Sequence, residues 1–223
     1  MAVGDRGSQG TSPVERRAVS PQLAAWEGDF GTQYTDRNVA DWRTRLPAFR
    51  HMLGGLRLGR VLEVGCNRGH NLLTLVECLD ADADVIGVEP NRQALELARA
   101  ASPRVAVVRG HALELPFKDG YFDLVLTAGV LIHVTLGDLV AVLHELHRVT
   151  RRYILAIEYF ADEETPVVYR GHEALLWKRD FLAHYRSQFP SLQLRRQGYW
   201  GPEAGFDRTH WWLLEKPGER STA

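Results

Sequence analysis

Apolar residues along this chain follow two periods, and the two alternate. Short continuous apolar runs at 60–64, 85–89, 105–108, 122–127 and 153–158 read as strands buried on both faces. Between them the spacing changes to that of a helix. The clearest case is 136–149, where Leu139, Val142, Leu143, Leu146 and Val149 form one stripe. Helices are also expected over 69–79 and 92–101. The second has Asn91 as its cap, with Leu95 and Ala98 facing inward. Such a strand–helix–strand rhythm predicts an α/β fold with a doubly wound, mostly parallel sheet.

The C-terminal third leaves this rhythm. A helix is predicted around 175–189, then a strand at 192–197, a Gly/Pro-containing loop at 200–205 and a strand at 209–215. Two strands joined without a helix pair antiparallel. The predicted sheet is therefore seven-stranded and Rossmann-like, ending in a C-terminal antiparallel hairpin. Residues 1–20 are poor in apolar side chains and are expected to be a flexible tail, as are 217–223. Residues 21–57 hold the aromatic run from Trp26 to Tyr34, then Val39, Trp42, Leu46, Phe49 and Leu53 at helical spacing, with Pro47 as a kink or break. We expect two short helices there, an N-terminal lid across the top of a core domain at 58–216.

Composition narrows the function. Of 223 residues, 45% are hydrophobic and 25% charged, as in a soluble globular protein. A formal net charge of −1 argues against a nucleic-acid partner, whose phosphates call for a strongly basic surface. It argues equally against a membrane-surface protein, and no apolar run is long enough to span a bilayer. The first residues, Met1 to Arg6, have no apolar signal core. Two cysteines, Cys66 and Cys78, do not make a disulfide scaffold. The expectation is a cytoplasmic monomer or homodimer whose partner is a small-molecule substrate.

The candidate chemistry lies in the turn after the first strand. Glu63, Gly65 and Gly69 surround a bend from which the helix at 69–79 departs. Glycine lets the backbone take positive φ and approach a ligand, and the helix's free amides suit a carboxylate. Glu63 is placed to reach an ammonium, and Glu89, ending the second strand, to accept from ribose hydroxyls. A G-x-G-x-x-G dinucleotide turn would need glycines where Asn67 and His70 stand, and a phosphate loop would need Gly-Lys where His70 and Asn71 stand. The spacing points to S-adenosylmethionine.

Glu63-x-Gly65-x-Asn67-x-Gly69 resembles the first motif of the class I S-adenosylmethionine-dependent methyltransferases. The run from Gly110 to Phe117, followed by Tyr121-Phe122-Asp123-Leu124-Val125, resembles their adenine-side and fourth-strand motifs. Within that group, Gly65-Cys66-Asn67-x-Gly69-x-Asn71, Phe30-Gly31-x-x-Tyr34-x-x-Arg37-Asn38 and Tyr169-Arg170-Gly171 resemble the methylases associated with pseudaminic acid biosynthesis. The resemblance implies that Pro90, His111, Ala112, Thr127, Ala128 and Gly129 join Glu63, Gly65, Asn67, Gly69, Asn71 and Glu89 around the cofactor. Two positions depart from the common pattern. Asn67 replaces a glycine, and Asn tolerates left-handed backbone. His111 replaces an Asp, and a neutral imidazole nitrogen or the Ala112 backbone would then carry the adenine contact.

Methyl transfer from a sulfonium is chiefly alignment, and positioning alone is worth about 7–11 kcal/mol in favourable cases. No metal is expected: His144-Glu145-Leu146-His147 lacks the zinc-helix spacing. The catalytic candidates are His133, Tyr34 and His210. His133 is either a general base or a structural histidine bonded to backbone; Tyr34 either closes over the cofactor or simply packs. Substrate candidates are Arg37, Asn38, Tyr159, Arg170, Lys178 and Trp200. Arg170 with Lys178 would bind an acidic group or form a solvated charged face. The expected activity is metal-independent methyl transfer to oxygen or nitrogen of a small polar metabolite. The alternatives are a nicotinamide-dependent oxidoreductase and a non-catalytic cofactor-binding protein.

Overall fold

The computed structural model describes residues 20–171 and 175–217. The tails expected at 1–20 and 217–223 lie outside the described residues apart from Ser20 and Pro217, and so does His172. Nine strands occur among them: β1 (Arg60–Val64), β2 (Asp84–Glu89), β3 (Val105–Arg109), β4 (Phe122–Ala128), β5 (Thr150–Glu158), β6 (Thr165–Pro166), β7 (Trp177–Lys178), β8 (Gln193–Trp200) and β9 (Thr209–Glu215). The helices are α1 (Pro21–Glu27), α2 (Asp29–Arg37), α3 (Leu46–Leu53), α4 (His70–Cys78), α5 (Arg92–Ala101), α6 (Leu136–Val149) and α7 (Phe181–Gln188).

Seven strands form one sheet in the order β3-β2-β1-β4-β5-β9-β8. The first five are parallel, and β9 runs antiparallel to both β5 and β8. The mostly parallel sheet with its antiparallel C-terminal pair is the fold that the periodicity predicts. Alternate strand residues face two cores. Val61, Leu124, Leu126, Leu155 and Leu213 meet α3, α4 and α5 on one side. Leu62, Val64, Val125, Ile154 and Leu214 meet α6 and α7 on the other. Burial on both faces explains why the central strands read as unbroken apolar runs. Cutting a fully buried leucine such as Leu62 or Leu124 to alanine costs about 2–5 kcal/mol.

Register decides where the site forms. Val64 pairs with Val88 on one side and with Thr127 on the other, and Ala128 pairs with Ile157. Gly65, Glu89, Gly129 and Glu158 therefore leave the sheet at one edge. The strand order reverses between β1 and β4, so a crevice opens there, outside the carboxyl ends of the strands.

Two regions differ from expectation. Where two short helices were expected over 21–57, the chain forms three helices and a 3₁₀ turn, Trp42–Arg45. Pro47 does not break a helix but lies in the first turn of α3, where its missing N–H has no helical partner to lose. The aromatic run is helical in spite of its glycines. Ser20 caps α1 by accepting from the Leu23 amide at 3.3 Å. A Cβ on Gly31 would lie 1.9 Å from the Trp26 carbonyl, so only glycine lets α1 and α2 fold this closely. The helix expected at 175–189 starts at Phe181, because Asp180 caps it through the Ala183 amide at 2.9 Å. The residues before it enter the β6–β7 ribbon instead.

Candidate functional site

The turn after β1 is held open by backbone geometry. Gly65 takes φ 76°, Asn67 φ 46° and Gly69 φ 85°. At Gly65 a Cβ would also come within 2.6 Å of Val130 Cγ2. The amides of Gly65 and Cys66 both donate to the Val88 carbonyl, at 2.8 and 3.1 Å, which ties the turn to β2. Gly69 is the N-cap of α4, and no side chain caps that end. The first α4 amides thus lack helical acceptors and point outward from the turn.

Glu89 is the hub of the second strand end. Its Oε2 accepts from the Asn67 amide at 2.7 Å and its Oε1 from the Asn91 amide at 2.8 Å. Burial pushes its pKa up to about 7 against the pull of these two amides. The side chains of the same two asparagines reach the N-terminal helices. Asn67 Nδ2 donates to Thr35 Oγ1 at 2.8 Å, and Asn38 Nδ2 donates to Asn67 Oδ1 at 3.1 Å. Asn91 Nδ2 lies within 3.2 Å of the Trp26 and Gly28 carbonyls and 3.1 Å from Thr32 Oγ1. One carboxylate therefore orients both residues that fasten α1 and α2 over the crevice.

Glu63 lies in β1 and is 2% exposed. Its Oε1 accepts from Asn71 Nδ2 at 2.7 Å; Arg45 Nη1 in turn donates to Asn71 Oδ1 at 2.7 Å, and Arg45 Nε to the Gly205 carbonyl at 2.9 Å. Burial pushes Glu63 up to about 7, opposed by the Asn71 bond and the Arg45 charge. Its other oxygen, Oε2, is buried with no hydrogen-bond partner among the described residues. The same is true of His111 Nδ1 and Trp26 Nε1.

These three atoms belong to residues lining one cavity of about 220 Å³ above the strand ends, together with Gly65, Asn67, Glu89, Pro90, Ala112, Ala128 and Gly129. An unsatisfied buried carboxylate oxygen, a lone indole donor and a lone imidazole nitrogen ask for a polar ligand. An adenosine joined to an amino acid supplies the complement: an ammonium for Glu63, two ribose hydroxyls for Glu89, a carboxylate for the α4 amides. The donor set fits S-adenosylmethionine. Thr127 is buried in β4 and does not line this space.

A second cavity of about 250 Å³ adjoins it, sharing Tyr34, Asn38, Arg45, Ala128, Gly129, His133 and Asp207. Arg37, Tyr159, Tyr169 and Arg170 line only the second. Between the two stands His133, whose ring lies 4.5 Å from that of Trp26 and 5.7 Å from that of Tyr169. Its Nδ1 is 2.5 Å from the Leu175 carbonyl. A carbonyl only accepts, so Nδ1 carries the ring proton and Nε2 keeps the lone pair. Burial lowers the pKa to about 4, so the ring is neutral at physiological pH. Both readings of His133 thus meet in one ring: it bonds to backbone, and that bond sets the tautomer a base needs. Burial pushes Tyr34 up to about 12, so its phenol stays protonated.

Glu158 shapes this boundary from below. Fully buried at the end of β5, it accepts from the Val130 and Leu131 amides at 3.2 Å and the Ile132 amide at 3.4 Å. That fixes the 3₁₀ turn Leu131–His133. An acid closing an apolar run is the signal that singled out Glu89, and it marks Glu158 equally well. Arg45 and Asp207 carry no such signal, since they reach the site from distant loops.

Three of the catalytic and substrate candidates lie elsewhere. His210, Lys178 and Trp200 line neither cavity. His210 pairs across from Glu158, and its ring packs on Phe160 at 4.9 Å. Lys178 sits in the ribbon over the Tyr159 ring at 5.8 Å. Trp200 stacks on Trp211 at 6.3 Å on the α3 side of the sheet. Arg37 and Arg45, and not Lys178, line the second cavity along with Arg170.

Residues 61–152 match the family described as a methyltransferase domain. Among curated relatives, an uncharacterized methyltransferase of Schizosaccharomyces pombe is 34% identical over 122 residues, covering 49% of this chain and 43% of that protein. A demethylmenaquinone methyltransferase of Lactiplantibacillus plantarum is 34% identical over 116 residues, covering 49% and 47%. The chain thus spans less than half the length of these relatives. The fold is shared with the Burkholderia thailandensis 1,6-didemethyltoxoflavin-N1-methyltransferase, solved with 1,6-didemethyltoxoflavin and S-adenosylhomocysteine. That likeness has a TM-score of 0.66 at 20% identity and covers 92% of this chain and 94% of that one. No helix among the described residues is long and apolar enough to cross a membrane.

Proposed function

We propose that this protein is an S-adenosylmethionine-dependent methyltransferase acting on a small polar metabolite. The observation that carries the reading is the first cavity, with its two buried carboxylates on successive strand ends and the unpartnered Glu63 Oε2. The bound donor supplies an activated methyl on a sulfonium. The chain supplies the rest. Glu63 takes the ammonium, Glu89 the ribose hydroxyls, and the α4 amides the carboxylate. Gly129 gives room at the sulfur, and the second cavity presents the acceptor.

Displacement at the methyl requires an acceptor lone pair in line with the departing sulfur. A hydroxyl or neutral amine acceptor must also lose a proton, and His133 Nε2 is the neutral base at the junction of the cavities. With a pKa near 4 it is a weak base, suited to taking the proton late, as the new bond forms. A carboxylate acceptor would bypass it. Helices α1 and α2 act as the lid, fastened by Asn67 and Asn91 and carrying Trp26 and Tyr34 over the donor. The motifs that resemble those of the pseudaminic acid-associated methylases, Phe30 to Asn38 and Tyr169 to Gly171, fall on this lid and on the acceptor wall. The test is calorimetry. S-adenosylhomocysteine should bind one-to-one, and NAD should not compete; NAD binding in its place would overturn the assignment.

A further inference from the structure

We propose that the acceptor carries an acidic group, a carboxylate or a phosphate, which Arg37 and Arg170 clamp at the mouth of the second cavity. The inference rests on the donor occupying the first cavity. Three guanidiniums line the second cavity, Arg37, Arg45 and Arg170, against one carboxylate, Asp207. Arg45 is committed: it bonds Gly205 and Asn71, and both Glu63 and Asp207 offset its charge. Arg37 and Arg170 are exposed, and their side chains make no hydrogen bond or ion pair to any described residue. The Arg170 guanidinium lies 6.0 Å from the centre of the Tyr169 ring. Eight other arginines in the described residues do ion-pair with carboxylates, Arg43, Arg60 and Arg92 among them. Among the described residues Arg57, Arg104, Arg109, Arg186 and Arg208 also make no ion pair, but none of them lines either cavity, whereas Arg37 and Arg170 both line the second.

The walls point the same way. Tyr34 and Tyr159 have phenols that burial raises above the ordinary range, so they are neutral hydrogen-bond donors. The cavity offers cations and hydroxyl donors, which a cationic acceptor would leave unmatched. The sulfonium next door adds further positive charge. Arg37 ends α2, whereas Arg170 lies on the loop after β6. The Phe30 and Tyr169 rings, 6.1 Å apart, bring these two segments together. An acid held at the mouth leaves the rest of a small molecule pointing inward to His133 and Gly129. Guanidinium–carboxylate and guanidinium–phosphate contacts are charge-assisted and often bidentate, which fixes orientation as well as affinity.

The experiment titrates the protein, saturated with S-adenosylhomocysteine, with matched pairs: 4-hydroxybenzoate and 4-hydroxybenzamide, glucuronate and glucuronamide, glucose 6-phosphate and glucose. At least one acid should bind tenfold or more tightly than its neutral partner. The carboxylate and phosphate pairs tell the two groups apart. In Arg37→Gln and Arg170→Gln the preference should fall below threefold, with lysine at either position restoring part of it. Unchanged melting temperature and S-adenosylhomocysteine affinity would show these variants intact. Equal binding of acids and neutral partners, a preference that survives both substitutions, or no binding by any acid would overturn the proposal. Loss of S-adenosylhomocysteine binding by the unmodified protein would instead overturn the donor reading beneath it.

Discussion

The two halves of the crevice, which we propose hold the donor and the acceptor, share a wall but are built differently. The donor half is made by backbone: Gly65, Asn67 and Gly69 in left-handed conformations, the α4 amides, and carboxylates at the ends of adjacent strands. Its polar groups form a connected network from Arg45 through Asn71 to Glu63, and from Glu89 to both asparagines. The acceptor half is made by side chains from segments far apart in the chain, α2, the 3₁₀ turn at Trp42–Arg45, the loop after β6 and the loop before β9. A frame built of backbone suits one fixed cofactor. A wall of separate side chains can be exchanged without disturbing it.

If that division is real, substitutions should separate binding of the donor from turnover. The largest effect is expected at His133. His133→Phe keeps a ring against Trp26 and Tyr169 but removes the lone pair. Methyl transfer to an ionisable acceptor should fall by about 100-fold or more, with S-adenosylhomocysteine affinity within twofold. An undiminished rate would reduce His133 to packing. The Leu175 carbonyl loses its donor in this variant, at about 1–3 kcal/mol, so its melting curve should be checked. Next comes Glu89→Ala, which removes the ribose acceptor and frees the Asn67 and Asn91 amides. Calorimetry should show donor-product affinity falling roughly 100-fold, as for loss of two charge-assisted hydrogen bonds. Unchanged affinity would remove Glu89 from the site.

A smaller effect is expected from pH. Glu63 and Glu89 both titrate near 7 in the ligand-free protein, raised by burial. The ammonium and the hydroxyls of the donor favour the charged carboxylates. Affinity should therefore rise as pH increases through 7 and fall below it. Each group that must ionise contributes up to roughly tenfold between pH 6 and pH 8. Glu63→Gln should remove one such factor; a profile as steep as wild type would exclude Glu63. Smallest is Asn67→Ala, which cuts the lid's bonds to Thr35 and Asn38 but leaves the carboxylates. Dissociation of S-adenosylhomocysteine, followed by stopped flow, should quicken by about fivefold, as for a net loss of about 1 kcal/mol. An unaltered off-rate would mean the lid does not guard the donor.

The same division explains what the sequence revealed. The sheet was legible because strands buried on both faces leave apolar runs, and α5 because Asn91 is an ordinary helix cap. The residues we propose to hold the donor were legible because Glu63, Gly65 and Glu89 stand at fixed offsets from strand ends. The lid's helices were obscured by Gly28 and Gly31, which lower helix propensity but permit the close turn between α1 and α2. The acceptor residues were only partly legible. Arg37, Tyr159 and Arg170 line the second cavity, yet nothing in the spacing of Lys178, Trp200 or His210 shows that β7, β8 and β9 carry them away from it. Contacts made by long-range folding leave no local pattern, and Arg45 meeting Gly205 across 160 positions is the extreme case.

That arginine also limits how far the molecule can be cut down. Its single guanidinium links α3's approach, the start of α4 and the loop before β9, while the stretch matching the methyltransferase domain runs only from 61 to 152. A polypeptide trimmed to that stretch would lose the anchor that steadies Asn71, and it would bare the flank of β5 that β9 covers. The recognisable heart of the protein is therefore not a detachable module: the setting of Asn71 and of β5 is completed by the parts on either side.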